Sequence, residues 1–112
     1  VLEPGHAAVR FSNPTTGGDV LPTMRAEMHR LRSGTRTATR REVGSAVWQV
    51  FDGAGRVHLG EREWSVEQGD LVAVPSWVPL TWDTETGLDL FRFSDTPIFE
   101  RLHADRVQIG GE

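Results

Sequence analysis

The chain has 112 residues, of which 38% are apolar and 25% charged, with a formal net charge of −4 and no cysteine. This is the composition of one globular domain, and it excludes disulfide staples, thiolate catalysis and cysteine metal sites. No apolar run is long enough to span a membrane, and no basic stripe interleaved with aromatics offers itself to nucleic acid.

The chain opens V-L-E-P-G-H, without a signal peptide and without methionine, and reads as a processed product or an excised fragment. The expected location is the cytoplasm. Residues 1–22 contain N-P-T-T-G-G-D and read as a turn-rich arm. The spacing predicts a barrel over 23–95 and a short helix with a tail over 96–112. Thr23 to Leu31 alternates, with Met24, Ala26 and Met28 on one face and Arg25, Glu27 and His29 on the other, as in a half-buried strand. Ala46 to Phe51 is an apolar run, and the D-G-A-G after it reads as a hairpin turn. Arg56 to Gly60 follows with Val57 and Leu59 inward, then Arg62 to Val66 with Trp64 and Val66 inward, then Leu71 to Val74. Pro75 ends that ladder, since it donates no backbone hydrogen bond. Leu80 to Asp83 is another extended piece. Leu88 to Ser94 carries Leu88, Leu90 and Arg92 on one face and Asp89, Phe91 and Phe93 on the other, which suggests a strand covered twice. Thr96 to Leu102 reads as a helix with Thr96 as cap, Pro97 first, and Ile98 and Leu102 on one face. Short strands separated by glycine turns define an all-β sandwich or barrel.

Two stretches, Gly34 to Gly53 and Gly69 to Leu80, resemble the two signature motifs of the cupin superfamily, G-x5-H-x-H-x3,4-E-x6-G and G-x5-P-x-G-x2-H-x3-N. Gly34, Gly53, Gly69 and Pro75 keep the frame. The histidine positions fall on Arg40, Glu42 and Leu80, the glutamate position on Ala46, and a glycine position on Trp77. The segments R-F-S-N-P-T-T-G-G-D, S-A-V-W-Q-V-F-D-G, V-P-S-W-V-P-L and L-F-R-F-S-D-T-P-I-F-E-R-L further resemble the C-terminal cupin of gentisate 1,2-dioxygenase and its relatives acting on salicylate or hydroxynaphthoate. The resemblance implies a jelly-roll barrel and a two-barrel parent. In such a parent an N-terminal cupin holds Fe(II) on three histidines and opens the aromatic ring, while the second barrel often has a degenerate site. The catalytic residues would then lie outside these 112 residues. The partners implied are a second copy, as homodimer or higher oligomer, and the N-terminal catalytic cupin of the same parent.

The residues themselves point the same way. Arginine stays protonated and cannot ligate a metal, and leucine and alanine offer no lone pair. There is no H-x-H or H-x3-H among His6, His29, His58 and His103; His29 and His58 fall on outward faces, and His6 and His103 lie near the ends. No metal or other cofactor is therefore expected in this domain. Arg40 and Glu42, two apart on a strand, share a side, and form either an internal ion pair filling the place of a lost metal or an anion pocket in which Arg40 or Arg36 forks onto a carboxylate. Trp48 and Trp64 are expected in the core. Trp77 and Trp82 flank the barrel mouth, either packed or lining a ligand pocket. Ser45 and Ser76 lack a His–Asp partnership, so no nucleophilic triad is supported. The favoured reading is a metal-free, non-catalytic structural cupin. The alternative is a binder of an aromatic or organic acid among Arg40, Glu42, Trp77 and Trp82. A third reading is an enzyme with an unusual or metal-free site.

Overall fold

The computed structural model describes residues 5–12, 18, 24–102 and 107–109. Their elements, in chain order, are β1 (His6–Arg10), β2 (Arg25–Leu31), β3 (Thr35–Arg36), β4 (Arg40–Glu42), β5 (Ala46–Leu59), β6 (Arg62–Glu67), β7 (Leu71–Val74), β8 (Leu80–Thr84), β9 (Leu88–Ser94), α1 (Thr96–Arg101) and β10 (Val107–Ile109). The strands make one antiparallel sheet that folds over at β5 into two walls. The first wall runs β1-β2-β9-β5-β7 and the second β10-β4-β8-β5-β6, with β3 also paired to β8. This is the jelly-roll barrel expected of a cupin.

The D-G-A-G segment is not a hairpin turn. β5 continues through it for 14 residues. Its first half pairs with β9 and β7, its second with β8 and β6, and the register slips between Val50 and Asp52. A bulge at that point lets one strand change sheets. Gly53 serves close approach rather than reversal: its φ is 92°, and a Cβ there would collide with the Gly87 carbonyl.

The lumen is apolar through most of its depth, filled by Val50, Val57, Leu88 and Leu90, none more than 2% exposed, with Trp48 and Trp82 beside them. Val66 joins this core. Trp64 does not: it stands opposite Val57 across the β5–β6 ladder, hence on the lumen side, but is 43% exposed. There the edges of β6 and β7 leave a cleft of about 330 Å³, with Trp64 and Leu71 among its lining residues. The outer side of β9 is not covered as expected either, since Phe93 is 43% exposed.

His29 is the clearest correction. It is 2% exposed and faces the lumen, as do Arg25 and Leu31 from the same side of β2. Alternation fixes which residues share a face, but here the apolar face of the strand is the outer one. His58 does lie outside the barrel. His103 and the N-P-T-T-G segment at 13–17 fall outside the described residues. Within the expected arm, His6–Arg10 pairs with β2 of its own chain. Within the expected tail, Val107–Ile109 pairs with β4. Among the described residues no helix is long and apolar enough to cross a membrane.

Candidate functional site

The four positions where a cupin motif places its ligands do come together. Arg40 and Glu42 on β4, Ala46 on β5 and Leu80 on β8 line one small cavity with Trp48, Val74 and Arg92. The cavity holds about 20 Å³, room for roughly one water molecule.

Its polar wall is a chain of charges. Arg92, on β9, donates through one terminal nitrogen to Glu27 at 2.8 Å and through the other to Glu42 at 3.1 Å. Arg40 Nε lies 2.7 Å from the second oxygen of Glu42. That N–H is buried and aligns with no acceptor among the described residues, so this is a charge contact rather than a hydrogen bond. The expected pair of Arg40 and Glu42 is thus one end of a longer network, and these four groups carry no net charge. Arg92 is the residue that ties it together, and its guanidinium also sits 5.6 Å from the Trp48 ring centre, a cation–π distance.

The network continues away from the cavity. His29 Nε2 is 3.2 Å from Glu27 Oε1, and His29 Nδ1 is 2.8 Å from His6 Nε2. Burial pushes the Glu27 carboxyl up, but the hydrogen bond from His29 and the charge of Arg92 outweigh it and hold its pKa down to about 2. An ionised carboxylate only accepts, so His29 donates from Nε2. In the neutral imidazole its Nδ1 is then bare, and accepts from His6 Nε2–H. His29 therefore uses opposite nitrogens for its two neighbours. His6, His29 and Glu27 cannot converge on one ion, although they supply two imidazoles and a carboxylate. Among the described residues no group of three potential ligands is placed to hold a metal. The donor set at the cavity, a guanidinium with one carboxylate already bound by two arginines, does not fit an iron site either.

The remaining sequence candidates disperse. Trp82 is 2% exposed and packs on Trp48 with ring centres 5.4 Å apart. Both indole N–H groups lack a partner among the described residues, and the rings act as apolar filling. Trp77 is 40% exposed and does not line the cavity. Its φ of 63° is left-handed, the physical reason the cupin motif favours glycine there. The tight turn is held by its N–H on the Glu42 carbonyl at 2.7 Å. Arg36 lies outside the barrel, where Asp83 gathers Arg36 at 3.5 Å, Arg56 at 3.2 Å and His58 at 2.9 Å. Burial raises the Asp83 carboxyl, but the hydrogen bonds of His58 and Arg56 prevail and hold it below its ordinary range. This cluster clasps β3, β5 and β8.

Arg92, Glu27, His29 and His6 were the members missed from sequence. The available signal was the charged face of β2 set opposite the Arg92 side of β9.

Fold and lumen together define a cupin barrel in which two of the four ligand positions, Arg40 and Glu42, belong to an ion network and the other two, Ala46 and Leu80, are apolar. The chain resembles the C-terminal cupin domain of a two-barrel ring-cleaving dioxygenase. It is 56% identical over 110 residues to gentisate 1,2-dioxygenase of a Streptomyces species, which covers 98% of this chain and 31% of that protein. It is 29% identical over 96 residues to a 1-hydroxy-2-naphthoate 1,2-dioxygenase of Nocardioides, covering 83% of this chain and 25% of that protein. Salicylate 1,2-dioxygenase of Pseudoaminobacter salicylatoxidans, crystallised as adducts with gentisate, superposes with a TM-score of 0.96 at 58% identity, over 100% of this chain and 31% of its own. No family model matches. The chain spans about a third or less of the length of these relatives.

Proposed function

We propose that this chain is a metal-free, non-catalytic cupin domain of a longer gentisate 1,2-dioxygenase-like protein, with a structural and oligomerising role. Any ring-opening chemistry, and the Fe(II) it needs, belongs in this reading to another barrel of the parent. The observation that carries it is the Arg40–Glu42–Arg92–Glu27 network, which puts paired charges at two of the ligand positions while Ala46 and Leu80 leave the other two without a lone pair. The reading places the protein in the cytoplasm, which a chain without cysteine suits.

The test is iron loading. The purified chain, incubated with excess Fe(II) and desalted, is expected to retain well under one equivalent of iron. It is also expected to leave gentisate and salicylate unopened, followed by absorbance. One tightly held equivalent, or turnover, would overturn the proposal. The acid-binding alternative finds little support, because the cavity between Arg40 and Glu42 holds about 20 Å³, whereas ligand pockets run to about 300 Å³ or more. Trp77 and Trp82 are also absent from its lining. Thermal melts with millimolar gentisate or salicylate are expected to show no stabilisation.

A further inference from the structure

We infer that the cleft between β6 and β7 is a binding site for a small aromatic amine, with the ring against Trp64 and the ammonium group at Asp70 and the free strand edges. The inference goes beyond the structural role proposed above and does not depend on it.

The cleft exists because β5 leaves one wall for the other. β7 pairs with its first half and β6 with its second, so the two strands part from each other at the turn that joins them. The opening of about 330 Å³ is at the lower end of the range of small-molecule pockets, about 300 Å³ and upward, and takes one aromatic ring system with a short side chain. Val57, Leu59 and Val72 are its apolar floor. Val57 is buried in the core, and Leu59 and Val72 pack against it. Trp64 also lines the cleft and keeps 43% of its surface exposed, which leaves an indole free to stack on a ring or to face a cation.

The strand edges add polar groups. Val50 donates to the Asp70 carbonyl. Bonds in an antiparallel ladder fall at alternate pairs, so Val72 and Val74 bond to β5, and the N–H and C=O of Leu71 and Ala73 turn towards the cleft. On the other half of β5, Gly60 donates to the Pro79 carbonyl. By the same alternation Arg56 and His58 bond to β8, Val57 and Leu59 bond to β6, and the main-chain groups of Ser65 turn towards the cleft. Leu71, Ala73 and Ser65 all line it. These edges are too short to template an added strand. Pro75 follows β7 after only four residues. The Glu67 N–H is already taken by the Asp70 carboxylate at 2.8 Å, and the Glu67 carbonyl by the Asp70 N–H at 3.0 Å. What remains suits a compact ligand with a few hydrogen-bond donors.

Charge selects the class. Asp70 is the one ionisable side chain among the described residues that line the cleft. The stretch from Glu61 to Asp70 carries four carboxylates against a single arginine, Arg62. An aromatic acid would bring an anion into this field. An ammonium group instead offers three donors to the Asp70 carboxylate and the edge carbonyls.

The experiment is titration of the isotope-labelled 112-residue chain, at neutral pH, with tryptamine and separately with indole-3-propionate. The two share a ring and a spacer and differ in the sign of their charge. Heteronuclear NMR follows the Trp64 indole N–H and the amides of Ser65, Leu71 and Ala73. The expected result is saturating shifts at these groups with tryptamine, at a Kd of about 1 mM or tighter, and binding of indole-3-propionate at least about 10-fold weaker. Asp70→Asn keeps an oxygen to accept from the Glu67 N–H. It should weaken tryptamine about 3-fold and narrow the preference for the amine. Trp64→Gln should weaken tryptamine at least about 10-fold; circular dichroism checks its fold, and Trp64→Leu replaces a variant that does not fold. No saturation by about 10 mM, or shifts centred elsewhere on the barrel, overturns the inference. Equal binding of the acid, or a preference unchanged in Asp70→Asn, overturns it as well. None of these results bears on iron retention, so the amine site and the metal-free reading fail separately.

Discussion

Arg92 holds two carboxylates at once with its side chain only 8% exposed. Replacing it by alanine leaves Glu27 and Glu42 without their shared counter-ion in a poorly hydrated lumen, and the expected loss is about 3–5 kcal/mol in urea unfolding. Adding Glu27→Gln and Glu42→Gln to that variant should recover part of it, because the stranded charges go with them. Glu27 also gives the molecule an acid limit. Its folded pKa, about 2, is below the ordinary 4.5, so its contribution is complete above pH 4.5 and is lost as pH falls through 2. The size is on the order of 3 kcal/mol before screening by the solvent that reaches it. Stability measured by urea unfolding across that window should fall on acidification, and Glu27→Gln should remove that share of the slope. Arg40 and Glu42 were legible because a motif frame pointed at them. Arg92 and His29 were not, since each lies on a strand whose alternation is equally consistent with an outward polar face.

Strand β5 shows how glycine misleads at the level of an element. D-G-A-G carries the composition of a turn, but its glycines make room: Gly53 for the Gly87 carbonyl, Gly55 for that of Asp83. A comparison of two glycines separates space from conformation. Gly53 and Gly69 share φ values of 92° and 95°, but only Gly53 has backbone against its missing Cβ. Gly69→Ala should cost about 1–2 kcal/mol, the penalty of a left-handed alanine. Gly53→Ala should cost at least about 2 kcal/mol more, because the strand crossing must open to admit a methyl group. Thermal or denaturant melts of the two variants decide it. β1 and β10 were missed as strands for a simpler reason: H-A-A-V-R and V-Q-I are short and lie among turn residues, and their pairing is settled by the partner strand rather than by their own pattern.

At the scale of the molecule the barrel was readable and the placement of its buried charges was not. Regular short strands and the Gly34, Gly53, Gly69 and Pro75 frame suffice for the architecture. On β2 and at Arg92 the usual inference from hydropathy is reversed, because these charged side chains face an otherwise apolar lumen, and only the closure of the sheet decides which side is which. The sharing of β5 by both walls has a consequence for how the protein opens. Val50 pairs with Leu90 in one wall and donates its N–H to the Asp70 carbonyl at 2.9 Å beside it, Val57 pairs with Trp82 in the other wall, and both valines are at most 1% exposed. Neither wall can come apart alone while this strand is held by the other. Amide hydrogens at Val50 and Val57 should therefore exchange at one common, slowest rate set by global unfolding, while those of the edge strand β1 exchange sooner through local fraying. Two distinct slow rates for the two valines would mean that the walls open independently.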